Sequence, residues 1–235
     1  MSNERLPTID LGRMAYAPAL EAQRAHHADV LGAREAGLPL LGRILTVEHD
    51  PVITVTPRPG VARHLLATLE LLVSHGVEVC DTDRGGDITY HGPGQLVVYP
   101  IIDLKRTGIR VVDYVRLLEQ AVIDAIAPLG LEGKRDPEAT GVWVTQASDR
   151  VGVGPDAKIA AIGVRVRKWI TLHGLALNVR TNLDHFGLIV PCGLAGRAVT
   201  SLERELSERC PPMDAVRAAV VGALRQLVLE RAKGA

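Results

Sequence analysis

The densest concentration of chemistry-bearing residues is Arg84-Gly-Gly-Asp-Ile-Thr-Tyr-His-Gly-Pro-Gly-Gln95. Glycines at four of these positions, Gly85, Gly86, Gly92 and Gly94, let the backbone approach a bound molecule closely or take up positive φ. Tyr90, His91 and Gln95, interleaved with them, supply donors in a turn that runs into an apolar strand, so the stretch reads as a binding loop rather than a plain Gly-Pro turn. A second candidate is Cys192, in Val190-Pro-Cys-Gly-Leu194. Pro191 and Gly193 set its thiol on a turn where the Gly193 N–H is available as a donor. A thiol in that setting serves as a nucleophile, whereas a lone cysteine is also commonly a small buried hydrophobe. The second reading fits Cys80 and Cys210; at Cys192 the residue types alone leave the two readings even. His91, His173 and His185 raise the question of a metal, but no HxH, HExxH or CxxC pairing organises them, and no metal site is expected. Arg165, Arg167 and Lys168 form a basic cluster that suits a solvated sheet face and an acidic docking partner equally well.

The elements that must position these residues alternate strands with only a few helices. Tyr16 to Ala36 has a proline in its first turn and Gly37 as its stop, the pattern of a helix. Arg43–Glu48 and Pro51–Thr56 are rich in β-branched residues and predict strands. A short helix over Thr68–His75 and a strand over Val77–Cys80 precede the glycine-rich stretch, and the strand Leu96–Asp103 follows it. Val112, Val115, Leu118, Val122, Ile126 and Leu129 recur at helical spacing up to Gly130. Gly141–Thr145, Lys158–Arg167 and Thr171–Val179 predict three more strands, with Gln146–Asp156 as an exposed hairpin loop. Asn182 to Arg204 reads as irregular, and Met213–Arg231 as a final helix. Runs of strands with few helices point to an α+β fold.

Composition narrows the function classes. The chain of 235 residues has a formal net charge of +0, which argues against a general binder of nucleic acid or anionic membrane. Its length suits one large domain, 1–235, with residues from about 180 onward as a small appended lobe. Three cysteines without paired spacing suggest a reducing compartment. The N-terminus lacks an apolar signal core and no apolar run approaches the ~18 residues of a membrane span, so a cytoplasmic location is expected. Three nucleotide and hydrolase devices are missing: GxxxxGK[ST], a GxGxxG leading from strand into helix, and GxSxG. Gly152-Val-Gly-Pro-Asp-Ala lacks the third glycine and precedes a strand.

The stretch Arg84–Gln95 resembles the signature loop of the bacterial lipoyl(octanoyl) transferase family. The likeness extends, in the family's order, through Glu48-His-Asp-Pro-Val-Ile-Thr54, Lys158-Ile-Ala-Ala-Ile-Gly163, His173-Gly-Leu-Ala-Leu-Asn-Val179, Pro191-Cys-Gly193 and Thr200-Ser-Leu202. Two stretches depart from it: Gln146–Asp156 is longer than the family's hairpin, and Val-Thr-Pro-Arg follows Thr54 where a glycine is commoner. The resemblance implies a mixed, largely antiparallel sheet with flanking helices, the fold of biotin and lipoate protein ligases. It implies that Cys192 is an acyl-thioester nucleophile partnered by Lys158. Arg84 through His91 (Gly85, Gly86, Asp87, Ile88, Thr89 and Tyr90 between them), with Ala161, Ile162, Gly163, Gly174, Leu175 and Ala176, would line the acyl pocket.

The implied reaction moves an octanoyl group from the phosphopantetheine of acyl carrier protein to a lysine of lipoyl domains, those of 2-oxoacid dehydrogenase complexes and the glycine cleavage H protein. It needs no further cofactor, nucleic acid or membrane, and a monomer suffices. A free cysteine with pKa near 8.5 is only about 3% thiolate at pH 7, and a lysine near 10.4 is neutral about once in 2,500. A second amine that stabilises the first group and takes a proton from the other answers both demands. Two rivals remain at this level: an ATP-dependent lipoate or biotin ligase, which has no use for Cys192, and an acyl-binding module without catalysis.

Overall fold

Residues Gln95–Ile102 and Ile170–Asn178 are buried at every position, so both faces of the sheet they form must be covered. The computed structural model describes residues 2–147, 153–190 and 197–233. Among these residues the elements run α1 (Ser2–Arg5), β1 (Thr8–Met14), α2 (Tyr16–Glu35), β2 (Gly42–His49), β3 (Val52–Val55), α3 (Leu69–Ser74), β4 (Glu78–Asp81), β5 (Ile88–His91), β6 (Gln95–Ile102), α4 (Leu104–Thr107), α5 (Val111–Ile126), β7 (Gly133–Lys134), β8 (Val142–Ala147), β9 (Val153–Arg167), β10 (Ile170–Asn178), β11 (Ala198–Val199), α6 (Leu202–Leu206) and α7 (Met213–Lys233). The larger sheet has the order β1-β2-β6-β10-β9-β8-β7, with β11 beside β9. Its β1/β2 and β9/β11 pairs are parallel and the others antiparallel. A smaller sheet has the order β4-β3-β5. The architecture is mixed α+β, as the strand-rich pattern implied.

Alternation along the strands sorts side chains between two cores. Ile44, Val98, Leu175 and Leu177 face α5 and α7, whose Leu118, Val122, Val220 and Leu224 complete that cluster. Their neighbours Leu45, Val97, Tyr99 and Ala176 face the other way, toward Ala19 and Val30 of α2. Helix α2 ends where Gly37 takes φ +68. There the Leu38 N–H donates to the Ala33 carbonyl and the Gly37 N–H to that of Arg34, which satisfies the last turn's orphan carbonyls. Among the described residues no helix is long and apolar enough to cross a membrane.

Several sequence-based boundaries change; within Asn182–Arg204, read as irregular, lie β11 and the start of α6. Pairing of β8 with β9 continues to Ala147 opposite Val153, so Gln146 and residues 153–156 belong to strands; only 148–152, outside the described residues, remain between them. Ile88–His91, read as part of a loop, is a buried strand that pairs with β3. Strand β1 was not anticipated: it is a half-exposed edge whose register shifts between Asp10 and Arg13, around Gly12 at φ +66. Its Ile9 and Leu11 alternate and pack on the α2-side core, but Gly12 and the register shift cut the pattern short after two apolar positions.

A glycine on a central strand leaves room for the strand beside it. A Cβ on Gly174 would lie 2.2 Å from the Val98 carbonyl oxygen and 2.6 Å from Pro100 Cδ. Gly174→Ala is therefore expected to cost about 1–3 kcal/mol or more. Gly222→Ala, on an exposed turn of α7 with nothing within 4 Å, is expected to gain about 0.5–1 kcal/mol. Urea unfolding of the two variants checks both signs; equal effects would contradict this reading of the sheet.

Candidate active site

Two adjoining chambers open on β9 and β10. The first is bordered by Arg84, Gly86, Thr89 and His91, by Ala161–Gly163 of β9, and by Gly174–Ala176 of β10. The second is bordered by Gly85, Glu138, Ala139, Thr140 and Lys158. Gly86, Ile162 and Gly163 border both. The Arg84–Gly86 turn sits directly on the sheet: the Gly85 N–H donates to the Val164 carbonyl at 2.9 Å. A Cβ on Gly163 would meet the Gly85 carbonyl oxygen at 2.6 Å. The backbone of one turn thus forms the partition between the chambers.

Strand alternation divides the residues expected in the pocket. Thr89 and His91 border the first chamber, whereas Ile88 and Tyr90 point into a separate core with Phe186, Leu188 and Ile189. The expectation that Ile88 and Tyr90 line the pocket is therefore corrected: a four-residue strand shows only every second side chain to one face. Asp87 turns to His64, with 2.8 Å between carboxylate and Nδ1. The Arg84 guanidinium donates to the Thr54 carbonyl and hydroxyl and to the Gly85 and Asp87 carbonyls, so it braces the turn that it belongs to.

Sequence reasoning missed Tyr16, Val97, Tyr99 and His173, which also border the first chamber. His173 opens a segment that carried the family resemblance, a usable signal; Tyr16 and Tyr99 looked like helix and strand core. The His173 Nε2–H donates to Asp83 at 2.8 Å, and Asp83 also pairs with Arg165. Of the basic cluster only Arg165 reaches the chamber wall this way, since Arg167 and Lys168 lie at the far end of β9. His185 instead meets the Tyr90 hydroxyl at 2.8 Å. Among the described residues no group of histidine, cysteine and carboxylate side chains could hold a metal ion.

Lys158 is 8% exposed. Its Nζ donates to the Thr140 carbonyl at 3.0 Å and lies 4.8 Å from the centre of the Trp143 ring. Opposite it in parallel register stands Val199, and the Thr200 N–H donates to the Lys158 carbonyl at 3.0 Å. Cys192 lies outside the described residues. The chain on either side of 191–196 is tied down, by the Val190 N–H to the His64 carbonyl at 2.7 Å and by β11 beside Lys158. A buried polar chain runs from the first chamber to the segment beside Lys158: His91 Nδ1–H to Gln95 Oε1, Gln95 Nε2–H to Asn178 Oδ1, and Asn178 Nδ2–H to the Thr200 carbonyl.

The two buried histidines near Tyr16 are held neutral. Burial pushes His49 down to about 4 and, together with the neighbouring His49, pushes His91 down to about 3. His49 donates from Nδ1 to the Met14 carbonyl and accepts from the Tyr99 hydroxyl at Nε2. In the unfolded chain both return to about 6.5. Between about 6.5 and about 4 the unfolded state binds more protons, so stability falls as pH drops through that window. Thermal melts from pH 7 downward are expected to show this fall, with a shallower slope in His49→Asn. An unchanged slope in that variant would contradict a buried neutral His49.

The model of the lipoyl protein ligase A/B catalytic domain family matches residues 16–225. An octanoyltransferase of Acidobacterium capsulatum is 44% identical over 208 residues, covering 86% of this chain and 80% of that protein. An octanoyltransferase of Porphyromonas gingivalis is 44% identical over 197 residues, covering 84% of this chain but only 39% of that longer protein. Among solved structures, lipoate-protein ligase A bound with ATP aligns with a TM-score of 0.62 at 16% identity, over 96% of this chain and 85% of that one. Biotin protein ligase from Aquifex aeolicus in complex with biotin and ATP aligns at 0.53 and 12% identity, over 95% and 70%. The structural likenesses speak for the fold, and the sequence matches, which run through both chambers, speak for the family: the chain belongs to the octanoyltransferases, a family of acyltransferases.

Proposed function

We propose that the chain carries an octanoyl group from the phosphopantetheine thioester of acyl carrier protein to a lysine of a lipoyl domain, by way of a thioester on Cys192. The supporting observation is the place of Lys158: a buried amine in the second chamber, one partition away from a largely apolar one, on a strand flanked by the chain that emerges after Cys192. The first chamber takes the acyl tail, whose burial contributes about 0.8 kcal/mol per methylene, roughly 5 kcal/mol in all. The acceptor lysine enters through the second.

In the first half-reaction the Cys192 thiolate attacks the octanoyl carbonyl, having given its proton to Lys158. The carbon–sulfur bond to phosphopantetheine breaks, and the departing thiolate takes that proton from Lys158. In the second half-reaction the neutral amine of the acceptor attacks the Cys192 thioester and the Cys192 thiolate leaves. The surplus proton of the new amide nitrogen passes to Lys158. Thioester exchange is nearly isoenergetic and aminolysis runs downhill, so neither half requires ATP. The acceptors are the lipoyl domains of 2-oxoacid dehydrogenase complexes and the glycine cleavage H protein.

Intact mass spectrometry tests the intermediate. Incubation with octanoyl-acyl carrier protein, without ATP, is expected to add one octanoyl mass to the native chain and to Cys80→Ala and Cys210→Ala, but none to Cys192→Ala. Transfer at the native rate by Cys192→Ala, or transfer only when ATP is supplied, would remove the covalent route.

A further inference from the structure

We propose that Glu119 is the positioning residue for Lys158, acting through a single peptide unit. Glu119 lies on α5, is entirely buried and does not border either chamber. Its Oε2 accepts from Arg116 Nη1 at 2.8 Å and Arg135 Nε at 3.0 Å, and its Oε1 accepts from the Gly141 N–H at 3.2 Å. That N–H and the Thr140 carbonyl belong to the same peptide group. The carbonyl is the one that receives Lys158 Nζ at 3.0 Å.

A peptide unit is planar, with its N–H and C=O pointing in opposite directions. Fixing the N–H on a buried carboxylate therefore fixes the direction in which the oxygen faces the lysine. The bond to a carboxylate also polarises the unit, and linked hydrogen bonds strengthen one another by about 10–30%. Gly141 is what lets the unit lie against the lysine. It has φ +136, and a Cβ there would be 2.5 Å from the Ala160 carbonyl oxygen and 3.3 Å from Lys158 Cε.

The rest of the 135–141 strap is anchored in the same manner. Asp136 Oδ1 accepts from the Glu138 and Ala139 N–H groups, and the Trp143 indole N–H donates to the Ala139 carbonyl at 2.9 Å. A buried carboxylate paired with two partly exposed arginines adds little stability over an apolar replacement. Its place is explained by what it orients. The functional half of this inference rests on the proton-moving role proposed above for Lys158; the geometric half does not.

The test compares Glu119→Ala and Glu119→Gln with the native chain by two readouts. The first is the rate at which trinitrobenzenesulfonate labels each of the five lysines, read by peptide mass spectrometry across the alkaline range. Glu119→Ala is expected to label Lys158 about tenfold faster, while Lys105, Lys134, Lys168 and Lys233 stay unchanged. Glu119→Gln, which keeps an oxygen for the Gly141 N–H, should fall between, and it stands in if the alanine variant fails to fold. Unchanged labelling of Lys158, or faster labelling of all five lysines together, overturns the proposal. The second readout is single-turnover transfer to the acceptor, expected to fall about tenfold in Glu119→Ala with KM for the octanoyl donor unchanged. If Lys158→Ala loses transfer and Glu119→Ala does not, the positioning inference alone fails. If Lys158→Ala keeps native rates, the proton-moving role fails, and the labelling result still decides the geometry.

Discussion

The contact between the backbone of Gly85 and that of Gly163 sets the geometry of the site. A side chain on Gly163 would be driven into the Gly85 carbonyl at 2.6 Å, and the Gly85 N–H is already committed to Val164. Because both positions are glycine, a loop lies flat on a strand and divides one cavity into two. Arg84 braces that loop by donating to the Thr54 carbonyl and hydroxyl of β3. The small sheet is thereby pinned to the large one at the site. Gly174, cross-strand partner of Gly163, extends the same economy of volume to the next strand of the sheet, where Val98 and Pro100 of β6 lie close against β10.

On the other side of the partition, polar groups are held in place by being buried with a partner. Lys158 has the Thr140 carbonyl and the Trp143 ring. Gln95 and Asn178 span the interior between His91 and the chain beside Lys158. An unsatisfied member of such a chain would cost about 1–3 kcal/mol, so the network specifies one arrangement of β5, β6, β10 and β11. The neutral state of His91 belongs to this logic: a charged imidazole in that position would be desolvated beside His49.

Much of this was legible in the residues. The β-branched runs and the spacing of Val112, Leu118 and Val122 foretold the central strands and α5, and Gly37 and Gly130 foretold where helices stop. The stretch Arg84–Gln95 stood out because glycine and polar side chains rarely mix so densely in a plain turn. The division of that stretch was not legible. Ile88 and Tyr90 face a core because residue 186 and its neighbours pack there, a contact nearly a hundred positions away that no local pattern records. Tyr16 and Tyr99 were hidden for the opposite reason, since an aromatic residue on a helix or strand reads as core until the fold shows which cavity it borders. Lys158 was visible only through family likeness; alone, a lysine opening a strand signals a solvated edge, whereas here β8 and β11 flank it on either side.

The central claim is that Lys158 moves protons in both halves of the transfer, and single-turnover kinetics of the separated half-reactions in Lys158→Ala test it most directly. At neutral pH both acylation by octanoyl-acyl carrier protein and transfer to the acceptor lysine should be slow. Raising pH past about 8.5 forms the Cys192 thiolate without help and should restore acylation, while transfer stays slow until the acceptor amine deprotonates near about 10.4. Native rates for both steps at neutral pH in Lys158→Ala would contradict the account.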